Sequence, residues 1–336
     1  MATGDAIKAA ARVLEAGGLV AFPTETVYGL GADAENPQAV AAIYAAKGRP
    51  ANHPVIVHVA PEADLSYWAA EIPAHAQKLI AAFWPGPLTL IFKRAAHIPD
   101  AVSGGQDSIG LRCPSHPVAQ ALLREFKGGR GGVAAPSANK FGHVSPTTAQ
   151  HVRDEFGDEL SCILDGGQSE VGIESTIVDL SRGGVALLRP GQISAQRIEA
   201  VLGIKPAASD AAAPRVSGAL DSHYAPATPV ILVEAARLVE AIAQLRKQGR
   251  RVVTMQREWE GIAGALATRR MPAEPEAYAH DLYAALRAMD HAGGDVIVVE
   301  APPVTEAWTG VNDRLRRAAF NGQSVANFLN FDESAG

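Results

Sequence analysis

The sequence contains few cysteines and no long apolar run. The two cysteines among 336 residues, Cys113 and Cys162, cannot form a disulfide framework or supply a zinc site by themselves. No apolar run reaches the ~18 residues that a membrane span requires, and residues 1–18 show no charged region followed by an apolar signal core. We therefore expect a reduced, cytoplasmic protein with no membrane partner.

The sequence also lacks an excess of positive charge. Its formal net charge is −6, so no overall basic field attracts nucleic acid or anionic lipid, although a local basic patch remains compatible with this composition. Hydrophobic residues make up 47% and charged residues 20%, which is ordinary for a globular protein and excludes wholesale disorder. The length predicts two domains.

Familiar nucleotide-binding and hydrolase motifs are absent. The sequence contains no G-x-x-x-x-G-K-[ST], H-E-x-x-H or G-x-S-x-G pattern. The segment from Gly29 to Ala34 fits G-x-G-x-x-A, but the next helix signal comes only at Asn36-Pro37 and no suitably spaced acidic residue follows. We therefore do not expect a dinucleotide site.

Helix and strand signals alternate along the chain and predict two α/β domains. Residues 1–204 are predicted to form a mixed α/β domain, whose strands include Ser108–Arg112 and Cys162–Leu164. Residues 205–228 are rich in Ala, Pro, Ser and Asp, with little periodicity, and are predicted to be a linker. Residues 229–330 repeat a strand–helix pattern that predicts a smaller parallel, Rossmann-like α/β domain.

Polar residues cluster in Gly- and Pro-rich turns at the ends of the predicted strands of the first domain. An arginine at the end of an apolar strand, such as Arg112, is costly to bury without a ligand anion or a structural carboxylate. Simpler roles stay open for others: Thr24 and Thr26 could cap their turn, and His58 could be a buried core histidine. Lys47 and Arg49 could complement a helix dipole.

Together these turns predict a site for an anionic ligand. Lys47, Arg49, Arg112 and Arg189 all lie at loop ends in one domain, among many hydroxyl groups, which suits several phosphates or carboxylates. No nucleophile–base pair or carboxylate dyad is evident. The pattern therefore favours phosphoryl or nucleotidyl transfer, in which positioning and charge neutralisation do most of the catalysis.

The order and spacing of these turns resemble a known family, the YrdC-like threonylcarbamoyl-AMP synthases. The continuation through His223-Tyr224-Ala225-Pro226 resembles the two-domain, Sua-type members. The segments that carry the first resemblance are Pro23-Thr24-Glu25-Thr26-Val27-Tyr28-Gly29-Leu30-Gly31, Lys47-Gly48-Arg49-Pro50, Pro85-Gly86-Pro87, Pro136-Ser137-Ala138-Asn139, Asp165-Gly166-Gly167, Glu174-Ser175-Thr176-Ile177 and Arg189-Pro190-Gly191.

The resemblance implies a fold and an activity. The expected catalytic domain is an open, twisted α/β domain with a concave, positively charged cavity. The expected enzyme is a nucleotidyltransferase that converts L-threonine, bicarbonate and ATP into L-threonylcarbamoyl-AMP and pyrophosphate. A partner transferase would then place the threonylcarbamoyl group on adenosine 37 of tRNA. Mg²⁺ is expected to arrive with ATP, with no metal site of the protein's own and no tightly bound organic cofactor.

The resemblance also implies roles for individual residues. Arg112 would hold the threonine carboxylate, and Lys47 and Arg49 would neutralise the triphosphate and act as the catalytic residues. The implied threonine contacts are Thr26, His58, Arg112, the backbone of Ala135, and Ser175. The implied ATP contacts are Lys47, Arg49, Asn52, Ser108, Ser137, Asn139, Ser145 and Arg189.

The predicted linker departs from the family pattern. Many two-domain relatives have a Ser-Pro-Gly-Met-like turn followed by basic or aromatic residues, whereas this chain reads Val216-Ser217-Gly218-Ala219-Leu220-Asp221-Ser222. If the linker covers the site, we expect its contacts to come from the backbone.

Two alternative functions remain. The first is an RNA-binding module of the same fold without synthase activity, which the acidic net charge and the lack of aromatics alternating with basic residues disfavour. Weak RNA binding by a synthase is also compatible with the sequence. The second is a related enzyme that uses carbamoyl phosphate, but such relatives carry acylphosphatase and zinc-finger segments, and two cysteines cannot supply the latter.

Overall fold

The computed structural model describes residues 2–218, 223–257 and 264–322, which form two units. The first unit contains residues 2–141 and 145–218, and the second contains residues 142–144, 223–257 and 264–322. Residues 205–218, which belong to the predicted linker, pack with the first unit. Residues 219–222 of that linker and residues 323–330 of the predicted second domain lie outside the described residues.

The first unit is built on a mixed sheet of nine strands within residues 2–218. Its order is β1-β2-β6-β3-β5-β4-β7-β8-β9. The pairs β3/β5, β4/β7 and β8/β9 are parallel, and the other neighbours are antiparallel. The strands are β1 (Val20–Phe22), β2 (Gly29–Asp33), β3 (Ile56–Val59), β4 (Leu88–Lys93), β5 (Ser108–Arg112), β6 (Gly132–Ala134), β7 (Thr176–Asp179), β8 (Ala186–Arg189) and β9 (Ala207–Ala208).

Local signals explain where the helices of this unit begin and end. The Asn36 side chain caps the second helix by accepting hydrogen bonds from the amides of Gln38 and Ala39, and Gly48 ends it in the left-handed region at φ 62°. The helices are α1 (Gly4–Glu15), α2 (Pro37–Lys47), α3 (Ala74–Phe83), α4 (Asp100–Ser103), α5 (Pro117–Glu125), α6 (Ala149–Phe156) and α7 (Ala195–Leu202).

The two faces of the large sheet are covered differently. One face packs against α2, α3, α6 and α7 through residues such as Leu90 and Leu111. On the opposite face, Phe22 and Val133 pack against α1 and α5. Part of the remainder of that opposite face is covered by the segment around Val216, which packs on Ile91 and Ile177, rather than by a helix.

The second unit contains a separate parallel sheet with its own core. Its strands are β10 (Val230–Val233), β11 (Val252–Gln256), β12 (Ala267–Arg270) and β13 (Val296–Glu300), in the order β10-β13-β11-β12. Its helices are α8 (Leu238–Lys247), α9 (Pro275–Asp290) and α10 (Thr309–Ala318). The short segment 142–144 joins this unit: the Ala225 amide donates to the Gly142 carbonyl (2.9 Å), and Arg287 donates to the Val144 carbonyl.

The predicted fold class, a mixed α/β domain followed by a parallel α/β domain, is confirmed. The strand predicted at Cys162–Leu164 is wrong: Ile163 forms only an isolated bridge with Ala21, because β1 is three residues long and offers no further ladder. Within the described parts of the chain, no helix is long and apolar enough to cross a membrane.

Candidate active site

Strand register places many of the predicted site residues on one face of the large sheet, the face that Val216 partly covers. Successive side chains of a strand point to opposite faces. His58 pairs with Arg112, and Arg189 pairs with Ile177, two residues beyond Ser175. The predicted residues on this face are His58, Ser108, Arg112, Ala135, Ser137, Ser175 and Arg189.

Small residues form the floor of this face. Gly31 lies between two larger side chains, because a Cβ there would stand 2.8 Å from both the Phe22 ring and Val133 Cγ1. A Cβ at Gly29 would stand 3.2 Å from that of Ala135, and one at Gly110 would stand 3.1 Å from Ile91 Cδ1. The Gly29–Asp33 segment is therefore a strand whose glycines make room for neighbouring side chains, and not a dinucleotide loop.

Arg112 has a structural carboxylate partner. Its Nη2 donates to Glu25 Oε1 at 2.7 Å, and the Ser115 amide donates to Glu25 Oε2 at 3.1 Å. Both side chains of the ion pair are buried. The Arg112 Nε atom is also buried and has no hydrogen-bond partner within the described residues. Glu25 thus fixes one side of the guanidinium while Nε remains able to donate.

His58 lies beside Arg112 as a neutral imidazole. Burial and the neighbouring Arg112 charge lower the pKa of His58 to about 3. Its ring makes an edge contact with Phe22 at 5.9 Å, and its Nδ1 has no hydrogen-bond partner in the described part of the chain. It is therefore buried like a core histidine, yet it adds a polar group without charge next to Arg112.

The Pro-Thr-Glu-Thr turn is held by its own hydroxyl groups. Thr24 Oγ1 donates to the Val27 carbonyl at 2.6 Å and lies 2.9 Å from Thr26 Oγ1. Since the single hydroxyl proton of Thr24 is used on Val27, Thr26 is the donor of this second bond. The capping role that the sequence left open is thus present. These bonds hold the turn that carries the buried side chains of Glu25 and Thr26.

Lys47 is held at the end of α2 by two backbone carbonyls. Its Nζ donates to the oxygens of Ser137 at 2.6 Å and of Asn139 at 2.5 Å. The side chain is buried, and burial together with the neighbouring Arg49 charge lowers the pKa of Lys47 well below its usual value. Burial therefore disfavours the positive charge of Lys47 in the protein alone, and an anion bound beside Nζ would stabilise that charge.

A second network joins Arg189 to the strands. Arg189 Nε and Nη2 donate to the Ser175 carbonyl at 3.1 and 3.0 Å, and Nη2 also lies 3.2 Å from Ser175 Oγ. Thr89 Oγ1 lies 2.7 Å from Ser175 Oγ. Ser175, which directly precedes β7, therefore connects the Arg189 guanidinium to Thr89 near the start of β4.

Ser217 carries this network across to Arg49. Arg49 Nη2 donates to the Pro54 carbonyl at 3.0 Å and to Ser217 Oγ at 3.3 Å, and Arg189 Nη1 donates to the Ser217 carbonyl at 2.8 Å. The expectation that the linker contacts come from the backbone is met by the Ser217 carbonyl, and the Ser217 hydroxyl adds a side-chain contact that was not expected. Residues 219–222 of the same turn lie outside the described residues.

The other predicted ATP contacts differ in their surroundings. Ser145 Oγ donates to Glu174 Oε1 at 2.5 Å, and both residues are buried. Asn139 Nδ2 donates to the Lys140 carbonyl at 2.8 Å. Ser108 lines a narrow crevice under Val216, together with Gly110 and Ile177. Asn52 differs from these residues because it is exposed to solvent.

Sequence reasoning left out four residues of these networks as site residues: Glu25, Thr89, Glu174 and Ser217. Three lie within or beside the motifs already described, and only the register shows that Thr89 shares a face with Arg112. For Ser217 no signal was available, because the spacing of the linker does not show where it crosses the sheet.

Comparisons with known proteins match both units. The family model Sua5_yciO_yrdC, described as "Telomere recombination", matches residues 12–191. The model described as "Threonylcarbamoyl-AMP synthase, C-terminal domain" matches residues 193–320.

Individual relatives align over nearly the whole chain or over a shorter part of it. The chain is 40% identical to the threonylcarbamoyl-AMP synthase of Pyrococcus abyssi over 324 residues, covering 93% of this chain and 94% of the relative. A shorter relative, a putative threonylcarbamoyl-AMP synthase of Mycobacterium tuberculosis, is 42% identical over 198 residues, covering 59% of this chain and 89% of that protein.

Solved structures give the same result. The crystal structure of P. abyssi Sua5 complexed with L-threonine superposes with a TM-score of 0.86 at 37% identity, covering 93% of this chain and 94% of that one. On these grounds the chain belongs to the Sua5/YciO/YrdC family, whose two-domain members it matches over both units.

Proposed function

We propose that this protein is an L-threonylcarbamoyladenylate synthase, an enzyme of the nucleotidyltransferase class. It condenses L-threonine, bicarbonate and ATP into L-threonylcarbamoyl-AMP and pyrophosphate. The observation that carries the proposal is the single sheet face on which Arg112 and His58 lie near one cationic network, that of Arg49 and Arg189, with Lys47 held at Ser137. The related P. abyssi protein, which was crystallised with L-threonine, supports the choice of amino acid.

The threonine end of the site is assigned to Arg112 and its neighbours. Arg112 binds the threonine carboxylate through the part of its guanidinium that Glu25 does not occupy. His58, which is neutral because its pKa is lowered to about 3, adds a hydrogen bond without repelling the substrate's amine. Thr26, Ser175 and the backbone of Ala135 supply the remaining polar contacts.

The phosphate end is assigned to Lys47, Arg49 and Arg189. All three are buried cations, so their attraction for a triphosphate is weakly screened. Phosphate oxygens beside Lys47 would favour its charged form, against the burial that lowers its pKa in the protein alone. Asn52, Ser108, Ser137, Asn139 and Ser145 are assigned to the rest of the nucleotide.

The reaction then needs alignment and charge cancellation more than acid–base chemistry. The threonine amine forms a C–N bond to carbon dioxide and loses a proton, or to bicarbonate with cleavage of a C–O bond and loss of water, and becomes a carbamate. A carbamate oxygen attacks the α-phosphorus, and the bond from that phosphorus to the bridging oxygen breaks with its electrons on pyrophosphate. Lys47 and Arg49 stabilise the charge that develops on the leaving group.

Mg²⁺ belongs to this proposal as a companion of ATP. The described residues contain no group of three or more His, Cys, Asp or Glu side chains suited to a metal ion. Mg²⁺ is commonly held by substrate phosphates with one or two carboxylates, and Glu174 is the carboxylate beside the predicted ATP contact Ser145. The ion would neutralise phosphate charge; a downstream transferase would consume the adenylate.

The direct test is a reconstituted synthesis. The protein is incubated with ATP, Mg²⁺, L-threonine and labelled bicarbonate, and the adenylate is sought by mass spectrometry while pyrophosphate is measured. We expect labelled threonylcarbamoyl-AMP, and pyrophosphate release that requires both threonine and bicarbonate. Phosphate or pyrophosphate release without them indicates a plain ATP hydrolase, and salt-sensitive RNA binding without turnover supports the RNA-binding alternative.

A further inference from the structure

Residues 215–218 lie across the site face in a fixed register. The Arg215 amide donates to Gln106 Oε1 at 2.7 Å, and Gln106 Nε2 donates back to the Arg215 carbonyl at 3.1 Å. The next residue, Val216, packs on Ile91 and Ile177 of the sheet face. The hydrogen bonds of Arg215 and the packing of Val216 thus hold the next residue, Ser217, at a defined position.

Ser217 contacts two cations that come from distant parts of the first unit. Arg49 follows α2, and Arg189 ends β8. The Ser217 hydroxyl donates to the Pro54 carbonyl at 2.9 Å and accepts from Arg49 Nη2 at 3.3 Å, while its carbonyl accepts from Arg189 Nη1 at 2.8 Å. One residue therefore contacts both guanidinium groups and links them, while Pro54 also holds Arg49 and Ser175 also holds Arg189.

Two like charges on long side chains do not hold a common geometry by themselves. Arginine has many rotamers, so each side chain loses entropy when it is fixed, and two cations repel each other. If both side chains are already held before ATP binds, less conformational entropy is lost when the nucleotide binds. The Ser217 hydroxyl also binds the same Pro54 carbonyl as Arg49, which ties the loop after α2 to this arrangement.

We propose that Ser217 is a positioning residue that presents Arg49 and Arg189 together to the ATP phosphates. The proposal deepens the synthase function and rests on it. It assigns no contact with the substrate to Ser217 itself, which acts through the two arginines. The Ser217 hydroxyl bonds Arg49 and the Pro54 carbonyl, neither of which is assigned to threonine, so its removal is expected to affect the nucleotide.

The experiment compares Ser217→Ala with Ser217→Thr in the full chain. Ser217→Ala removes the hydroxyl and leaves the carbonyl bond to Arg189, so we expect the KM for ATP to rise about fivefold, which corresponds to one hydrogen bond. The KM for threonine should stay within about twofold of wild type. Ser217→Thr keeps a hydroxyl and should restore most of the ATP affinity. The exposed turn variant Ser66→Ala, whose side chain bonds Asp64, serves as the matched control.

A double-mutant cycle tests whether Ser217 acts through Arg49. In an Arg49→Ala background, Ser217→Ala should change the KM for ATP by less than about twofold, because its partner is already absent. Equal effects in both backgrounds would overturn the proposal. So would a fall in thermal stability with both KM values unchanged, or equal rises in both KM values, since these describe a structural role.

Binding of a non-hydrolysable ATP analogue, measured by calorimetry, tests the role of Ser217 separately from the proposed synthase activity. If the wild-type protein makes adenylate but Ser217→Ala binds the analogue as tightly as wild type, only the role of Ser217 fails. If the wild-type protein makes no adenylate while Ser217→Ala weakens the analogue about fivefold, the synthase function fails and Ser217 still positions the nucleotide site.

Discussion

Because the charges in this site are buried, a substitution that removes one of them changes stability as well as ligand binding. Arg112 and Glu25 form a buried pair, and removing one partner leaves the other charge uncompensated at a cost of about 3–5 kcal/mol. Arg112→Ala would therefore combine loss of binding with loss of stability. Arg112→Lys retains a positive charge and loses the planar fork that binds a carboxylate through two hydrogen bonds.

Arg112→Lys should weaken threonine selectively. We expect the KM for threonine to rise by about tenfold or more, on the order of one charge-assisted hydrogen bond, and the KM for ATP to change by less than about twofold. Steady-state pyrophosphate release with each substrate varied in turn measures both values. A proportional rise in both KM values would remove Arg112 from the threonine end of the site.

His58 should make the first unit sensitive to mild acid. The pKa of His58 is about 3 in the folded protein and 6.5 ordinarily, so between these values the unfolded chain binds more protons than the folded chain. Stability from this group is therefore present above pH 6.5 and is lost as the pH falls toward 3. Between pH 7 and pH 5 the loss is about 2 kcal/mol.

The measurement is the difference between wild type and His58→Gln. Hydrogen exchange of the amides of β3 and β5 gives the free energy of unfolding of this unit at each pH. His58→Gln lacks the titrating ring, so its loss of stability from pH 7 to pH 5 should be smaller than that of wild type by about 2 kcal/mol. Identical pH dependence in the two proteins would show that His58 takes up no proton on unfolding in this range.

At the scale of an element, the C-terminus of α2 sets the position of Lys47 and Arg49. Gly48 between them lies at φ 62°, and a Cβ there would meet nothing within 4 Å. A substitution at Gly48 is therefore strained only by its backbone conformation. The glycine allows the chain to turn so that the two cations leave the helix in different directions.

Gly48→Ala should lower the free energy of unfolding by about 1 kcal/mol, and it should lower kcat because both cations shift. Gly48→Asn should cost less on both counts, since asparagine adopts the left-handed region more readily. Urea unfolding and steady-state kinetics of the two variants check this order. Wild-type kcat in Gly48→Ala would mean that the turn does not set the positions of Lys47 and Arg49.

Sequence pattern predicts elements well where a run is both apolar and bounded. The strand Ser108–Arg112 is predicted with the bounds that the structure shows, because an apolar run ends at a charged residue followed by Cys113-Pro114. Gly29–Asp33 is not predicted as a strand, because its two glycines lower the strand propensity of the sequence, and only the structure shows that Phe22 and Val133 fill the space above Gly31. Cys162–Leu164 fails for the opposite reason: its pattern suits a strand, but it pairs with the three-residue β1 only through the bridge between Ile163 and Ala21.

Side-chain partners at the site depend on register and chain crossing, which the sequence does not show. The sequence indicates that Arg112 needs an anionic partner, but it does not show whether that partner is a ligand or a carboxylate of the protein. The structure shows that Glu25 is one such partner. Thr89 shares a face with Arg112 only through the β4/β5 register. The cations are thus predictable from the sequence, whereas the groups that orient them are not.

For the whole molecule, composition hides the local charge. The net charge of −6 describes the entire chain, whereas Lys47, Arg49, Arg112 and Arg189 lie buried in the first unit. The residues assigned to ATP and threonine all belong to that unit. The second unit has its own parallel sheet and its own core around residues such as Ile231 and Val298.

This division predicts that a chain ending at Gly218 folds and binds L-threonine. The large sheet, its helices and the Arg112–Glu25 pair are complete within residues 2–218, and the shorter mycobacterial relative aligns over a comparable length. The change leaves residues 142–144 without Ala225 and Arg287, so the loop around them should loosen while the threonine end is kept. We expect threonine affinity within about threefold of the full chain, a difference of about 0.7 kcal/mol.

Circular dichroism and calorimetric titration with threonine check this fragment, and the same fragment carrying Arg112→Lys is its control. The control should bind threonine about tenfold more weakly or not measurably. A fragment that unfolds cooperatively yet binds no threonine would show that residues beyond 218 complete the threonine end.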